Sequence, residues 1–485
     1  MRQIAILAGA LLLPSYLSYG LDPPVKLWEK WYYTNYDGAF FEDIELTSTG
    51  DLFITAFTYD NSQPTHESVV ALLLDQDGEV IWDVEHEYAG AFGYDGIVLS
   101  DGSFVITGTA TEDSTSNSVG LFIQKISSEG STIWTKIYDY PDTKELGYSI
   151  TSLPDGGFAV CGRVHGTGIQ MGQAWLLRTD ACGDTLWTRK WGTPLSDTFV
   201  HYGQTVLYNN GELCMLAEGT DDTLTTNGPH LLFYDLEGSY LRGTDYGDSM
   251  YYQLPADMCL ASDGGYTFNT RIYPYVWHTD QYGETLWVTS VYVSSGDQHE
   301  AFCIRQTMDS GYIFSGWDGY NEYEPNGNQV DYQEGWLVRF DSEGNELWNI
   351  NNLVSVDDHF YSCLQLPQGG YMACGTWGGS GYLVRYAPET CISSPDPVSS
   401  LRLEVSPNPF SSVLSASFSL PEEDLVTLTV YDLYGRIIGE AISGSYPRGT
   451  DIIEWTPPPE LGSGCYLVRL NTTGESVTRS CVFIR

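Results

Sequence analysis

The chain has 485 residues, a formal net charge of −43, and is rich in Tyr (35), Trp (14) and Gly (51). Its length exceeds that of one ordinary domain. So acidic a chain excludes a phosphate backbone as partner, because counterion release needs a basic surface, and no nucleic acid is expected. The charge is uneven, −39 over residues 21–391 and only −4 over residues 401–485. Acidity of this kind serves solubility and loose cation attraction.

Residues 1–20 read as a secretory signal peptide. Arg2 is their only charge, Ile4 to Leu13 is apolar, and small residues Ser18 and Gly20 precede a cut at Leu21. The apolar run is about half of the roughly 20 residues that a spanning helix needs. No other stretch is apolar enough, so no transmembrane segment is expected. The ten cysteines of an exported chain can form disulfides. They include no C-x-x-C pair, which sets aside zinc knuckles and thioredoxin-type chemistry.

From residue 21 onward the sequence repeats. A turn glycine followed four residues later by Trp occurs at Gly78/Trp82, Gly130/Trp134, Gly183/Trp187, Gly283/Trp287 and Gly344/Trp348, and Gly238/Arg242 is a variant copy. Successive glycines lie 52, 53, 55, 45 and 61 residues apart, a period that predicts a propeller or another repeat array. A second turn recurs between these, as at Asp101-Gly-Ser-Phe104, Asp155-Gly-Gly-Phe158, Asp263-Gly-Gly-Tyr266, Asp309-Ser-Gly-Tyr312 and Gln368-Gly-Gly-Tyr371. Thr49-Gly-Asp-Leu52 and Asn210-Gly-Glu-Leu213 bring the number to seven. Each period then holds four strands. Val25-Lys-Leu-Trp28 matches the last strand of a unit, and the repeats end on a third strand, Gly381–Arg385. The expected fold is therefore all-β: a seven-bladed β-propeller over residues 21–391, closed by the N-terminal strand, a Pro/Ser linker at 392–400, and a small C-terminal β-sandwich at 401–485. Closing the ring in this way removes exposed sheet edges.

Residues 401–485 carry Ser406-Pro-Asn-Pro-Phe410, Phe418-Ser-Leu-Pro421, Val426 to Arg436, Gly464-Cys-Tyr466-Leu-Val-Arg469 and Val482-Phe-Ile-Arg485. In this order the motifs resemble the C-terminal sorting domain of the type IX (Por) secretion system, an Ig-like fold. The resemblance implies export across a bacterial outer membrane, a secreted or cell-surface location, and the outer-membrane secretion machinery as partner through residues 401–485. Cys465 and a tail with few basic residues depart from that pattern. The repeats resemble those of secreted bacterial β-propeller repeat proteins, in which the recurring Trp docks neighbouring blades.

Catalytic signatures are absent. The sequence has no zinc-protease helix, P-loop, G-x-S-x-G elbow or G-x-G-x-x-G, and Thr179 to Trp187 is spaced unlike a sialidase Asp-box. No metal site or cofactor is expected. Asp75-Gln-Asp77-Gly78 is a partial calcium signature that lacks the later ligands of a real loop. A basic residue recurs in the third strand of five of the units, at Lys125, Arg178, His278, Arg339 and Arg385. It fits a lock within each blade better than a ring for an anionic ligand. His201, His299 and His359 fall at one predicted rim.

The longest predicted loop, Trp317 to Gly335, sets Trp317, Tyr320, Tyr323 and Tyr332 among Asp318 and Asp331. Asp357, Asp358 and Trp377 are expected on the same rim. Aromatics beside carboxylates suit a glycan, by stacking and hydroxyl hydrogen bonds, or a peptide. Spacing about two turns predicts two cross-strand cysteine pairs, Cys363 with Cys374 and Cys465 with Cys481. The sequence thus describes an exported, monomeric, non-catalytic binding or adhesion propeller. A surface scaffold is the first alternative and a polysaccharide hydrolase or lyase the second.

Overall fold

The structure is a computed structural model. It describes residues 23–389 and 402–485 except 33–36, 61–65, 112–118, 141–142, 167–171, 193–201, 220–227, 248–252, 273, 292–297, 324–328, 353–357, 407–409, 421–423, 433–435, 447–448, 460 and 475. The chain divides into two compact units, residues 21–390 and 391–485. Among the described residues no helix is long and apolar enough to cross a membrane.

The first unit is β-propeller-like, made of repeated four-stranded antiparallel sheets. One typical sheet runs Thr143–Ser152, Phe158–Gly166, Gln173–Thr179 and Thr185–Trp191 in spatial order. The long strand Val80–Val98 serves two sheets. Its first half pairs with His66–Leu74 and its second half with Phe104–Thr111. The N-terminal strand Lys26–Tyr32 pairs antiparallel with Ser380–Tyr386, Trp28 lying opposite Arg385. The cores lie between consecutive sheets. Val105, Leu121 and Ile123 of one sheet, for instance, pack on Ile150, Phe158 and Trp175 of the next. Strands covered on both faces must be apolar on both faces, which is why these segments show little alternation.

Outer strands hold the sheets together through one recurring contact. The indole N–H groups of Trp82, Trp187 and Trp287 donate to the carbonyls of Ser128, Leu236 and Ser342 in the next sheet's turn, at 3.0, 2.9 and 3.1 Å. The turn glycine in each case leaves no room for a side chain. A Cβ on Gly344 would lie 2.7 Å from the Trp287 ring, and its φ of +82° disfavours any other residue. The recurring third-strand cation is a lock. Arg178 pairs with Asp155 at 2.5 Å, His278 with Asp263 at 3.0 Å, Arg339 with Asp309 at 2.5 Å and Lys125 with Asp101 at 3.5 Å. In the last repeat Gln368 replaces the turn Asp, and Arg385 instead donates to the Gln76 carbonyl at 3.1 Å.

The second unit has a three-stranded sheet, ordered Arg402–Ser406, Leu414–Leu420, Gly449–Trp455, and a four-stranded sheet, ordered Ile437–Tyr446, Asp424–Asp432, Gly464–Asn471, Ser476–Phe483. Leu403, Phe418 and Trp455 from the first share one core with Val430, Val468 and Phe483 from the second.

The expected disulfides are corrected by register. The hairpin centres on Gln368, which places Ser362 opposite Cys374 and Cys363 opposite Ala373. That offset of one residue sends Cys363 and Cys374 to opposite faces of the sheet, into different cores. Their sulfurs are not bonded to each other. In the second unit Cys465 faces Val482 and Tyr466 faces Cys481, so the pair is again one residue out of step. Cys481 is a free, buried thiol, and the Cys465 side chain lies outside the described residues.

Candidate functional site

The first strands of the sheets in the 21–390 unit face one shared cavity of about 770 Å³. Each of these strands carries a β-bulge at the same place, marked by Glu42, Tyr94, Tyr148, Gln204, Ala256, Phe302 and Tyr361. A bulge turns its extra residue out of the ladder, and all of these residues line the cavity.

The residue after each bulge forms a belt between sheets. Asp95 accepts a hydrogen bond from the Ile150 N–H at 2.7 Å, Ser149 from Val206 at 3.4 Å, Asp257 from Ile304 at 3.1 Å and Asp43 from Gly96 at 3.4 Å. The Thr205 hydroxyl donates to Asp257 at 2.9 Å, and that of Ser362 to Asp43 at 2.9 Å. Arg305 crosses the cavity within this belt, 2.6 Å from Asp257, 3.2 Å from Asp43 and 3.6 Å from Glu45. The carboxylates outnumber it. Burial and the neighbouring Asp43 push Glu45 up to about 7. Burial and Asp43 likewise raise Glu42 to about 8, although solvent reaches it along the cavity, and raise Asp95 well above the usual carboxylate range.

Above the belt the aromatic rings form a continuous arc. Trp317 stacks on His359 at 5.6 Å between centroids, and His359 meets Tyr361 at 5.8 Å. Tyr361 leads through Phe40, Phe57 and Phe92 to Tyr94, each step 4.8 to 6.3 Å. Tyr94 then meets Tyr148 at 5.3 Å, and Tyr148 meets Tyr202 at 6.1 Å. Such spacings suit edge-on and offset ring contacts. Arg163 covers Tyr202 at 5.0 Å, and Arg271 covers Phe302 at 5.2 Å while paired with Glu300 at 2.8 Å. Tyr94, Tyr148, Tyr202, Phe302 and Tyr361 are all partly exposed. The arc therefore offers ring faces and hydroxyls above a floor of carboxyl groups.

The residues singled out from sequence fall elsewhere. Trp317 to Gly335 is a hairpin extension rather than a loop, for the strands Tyr312–Tyr323 and Gln329–Phe340 pair without interruption from Tyr312↔Phe340 to Tyr323↔Gln329. Alternating β-formers such as Val330 and Tyr332 favour that ladder. Trp317 is buried, and Asp318 is engaged by His299 at 2.5 Å and by the Asn351 amide at 2.7 Å. Tyr320 sits opposite Tyr332 and Asn321 opposite Asp331, and Tyr323 ends the ladder, but their side chains lie outside the described residues, as does Asp357. Asp358 is fully buried and sits opposite Trp377, which packs edge-on against Trp31 at 5.5 Å. Of the rim histidines, His299 holds Asp318 and His359 joins the arc, while His201 lies outside the described residues. The Asp75 carboxylate caps its own turn, taking the N–H groups of Asp77 and Glu79 at 2.9 Å each, as Asp180 and Asp280 do in theirs. Among the described residues no three His, Cys, Asp or Glu side chains are grouped to hold a metal.

Sequence reasoning missed the bulge residues because their types differ from sheet to sheet. One signal was available. Glu42, Tyr94, Tyr148, Ala256 and Tyr361 each lie eight residues before the turn glycines Gly50, Gly102, Gly156, Gly264 and Gly369.

No protein-family profile matches the sequence, and no curated protein is significantly similar to it. Solved structures similar in shape include PorZ of Porphyromonas gingivalis, described as an essential bacterial surface component of the type IX secretion system. It is 12% identical, with a TM-score of 0.44, over 92% of this chain and 59% of that one. The chain thus spans well under two thirds of that protein's length. A regucalcin of Agrobacterium tumefaciens described as calcium-binding is 12% identical, with a TM-score of 0.33, over 58% of this chain and 90% of that one. An acylaminoacyl peptidase of Pyrococcus horikoshii is 9% identical, with a TM-score of 0.41, over 80% of this chain and 59% of that one. Likeness at this level identifies neither a family nor an activity.

Proposed function

We propose that the protein is an exported, non-catalytic binding module that holds a carbohydrate at the mouth of its central cavity. In this reading residues 21–391 form seven blades in a ring closed by the N-terminal strand. Residues 1–20 are its signal peptide, and residues 401–485 are an Ig-like sorting domain that hands it to an outer-membrane secretion machinery. The export part rests on the order of motifs from Ser406 to Arg485. The binding part rests on one observation: Tyr94, Tyr148, Tyr202, Phe302 and Tyr361 line one cavity together with Glu42. Aromatic faces stack on the C–H faces of sugars, and the tyrosine hydroxyls with a protonated Glu42 can meet sugar hydroxyls.

The mature full-length chain should bind a subset of a glycan array, and Tyr148→Ala or Tyr361→Ala should lower affinity at least tenfold. Binding to a peptide array alone would replace the carbohydrate with a peptide. A hydrolase is the second reading, favoured by the raised carboxyls of Glu42 and Glu45. It predicts that the glycan hit is cleaved and that Glu42→Gln stops cleavage without loss of binding. The binding reading predicts that the hit is recovered intact.

A further inference from the structure

The inter-sheet belt breaks its own chemistry at one seam. Elsewhere the residue after the bulge carries oxygen: Asp43, Asp95, Ser149, Thr205, Asp257 and Ser362. On the sixth first strand it is Cys303. The residue that follows this position faces back toward the preceding sheet, as Ile150 and Val206 do. On the seventh first strand that residue is Cys363. Cys303 therefore looks forward and Cys363 backward across the same seam, and both are buried in the same core. The Cys303 sulfur lies 4.0 Å from the Cys363 carbonyl oxygen and 3.6 Å from the Ser362 hydroxyl.

We propose that Cys303 and Cys363 form a disulfide that staples the sixth sheet to the seventh. The pairing replaces the Cys363–Cys374 bridge that turn spacing suggested, and it puts a covalent link where the belt lacks an oxygen acceptor. The oxidant is a small-molecule or protein disulfide. One cysteine thiolate attacks it and expels a thiolate, leaving a mixed disulfide. The second cysteine thiolate attacks the protein sulfur of that mixed disulfide and expels the other half. Two protein thiols thus lose two protons and two electrons, and the oxidant leaves as two thiols. Burial, together with contact with the Cys363 thiol, holds the Cys303 thiol well above its usual range. The exchange consequently belongs to folding, before the seam closes, and the finished bond is shielded from reductant.

The full chain should be made by cell-free synthesis with mixed reduced and oxidised glutathione, so that it folds as it is oxidised. The soluble fraction is then alkylated in denaturant and mapped without reduction. The expected result is a Cys303 peptide linked to a Cys363 peptide, a mass about 2 Da below the dithiol form, and a melting temperature that falls when the unfolded chain is reduced and refolded with reductant. Cys303→Ser installs the hydroxyl that Ser149 provides three seams earlier and preserves folding by circular dichroism. It should abolish the linked peptide and make the melting temperature independent of redox conditions. Cys363→Ser should do the same. Alkylation of both cysteines in the folded wild-type chain would overturn the proposal, and so would a link from Cys363 to Cys374.

Discussion

The periphery and the cavity of the 21–390 unit repeat in different ways. At the periphery side chains recur with their contacts: a Trp indole on the next turn, and a third-strand cation on the Asp of the preceding turn. In the cavity only a backbone device recurs, the bulge, and the residue it presents changes from Glu42 to Tyr148 to Ala256. A contact that recurs with its partner is a part of the architecture. A position that recurs while its chemistry varies is free to be fitted to a ligand. Arg339 and Trp287 therefore belong to stability, and Tyr148 and Tyr361 to recognition.

Breaking the periphery should cost stability in proportion to burial. Arg339 is fully buried and bonded to Asp309, with Glu389 at 3.3 Å. Arg339→Ala should lower the unfolding free energy by about 3 kcal/mol in urea titrations, the lower end for a broken buried pair because Asp309 itself is exposed. Gly344→Ala should cost about 2 kcal/mol, from a positive φ and a Cβ driven into the Trp287 ring. Neither change should alter glycan affinity measured where the variants are folded.

The cavity should respond to pH instead. Glu42 and Glu45 are raised in the folded chain, to about 8 and about 7, above the ordinary carboxylate range that the unfolded chain keeps. The folded state then holds protons that the unfolded state has lost, so stability falls as pH rises from about 4.5 to about 8. Glu42→Gln should match the wild-type melting temperature near pH 4.5 and exceed it by a few degrees near pH 8. A gap of opposite sign would show that Glu42 is ionised and favourably held. The smallest effect belongs to Lys125→Ala. Its 3.5 Å pair with the exposed Asp101 should be worth less than about 1 kcal/mol.

Repetition made the fold readable and the site obscure. The period of turn glycines and Trp residues announced stacked sheets, and the matching of Val25–Trp28 to an outer strand anticipated its pairing beside Ser380–Tyr386. Recurrence also marked Arg178 and Arg339 as locks. Hairpins and bulges were less legible. The Trp317–Gly335 stretch reads as a loop because Gly319, Asn326 and Gly327 interrupt it, yet its strands pair up to Tyr323↔Gln329. Bulges add one residue without a composition of their own, and a turn centre is equally hard to place to one residue: the hairpin centres on Gln368, so Cys363 meets Ala373 rather than Cys374. The cavity residues come from strands distant in sequence and share only their spacing to a turn glycine, not a residue type, so the fold is what brings Glu42, Tyr148 and Tyr361 together.

The central claim separates the cavity mouth from the hairpin beyond Trp317. It is tested most directly by titrating one glycan-array hit, by calorimetry, against wild type, Tyr148→Ala/Tyr361→Ala and Tyr320→Ala/Tyr332→Ala. The account predicts that the cavity double variant loses binding by at least a hundredfold while the hairpin variant stays within about threefold of wild type, each aromatic contact contributing on the order of 1–2 kcal/mol. Loss of binding in the hairpin variant with the cavity variant unchanged would contradict it and place the site on the extension.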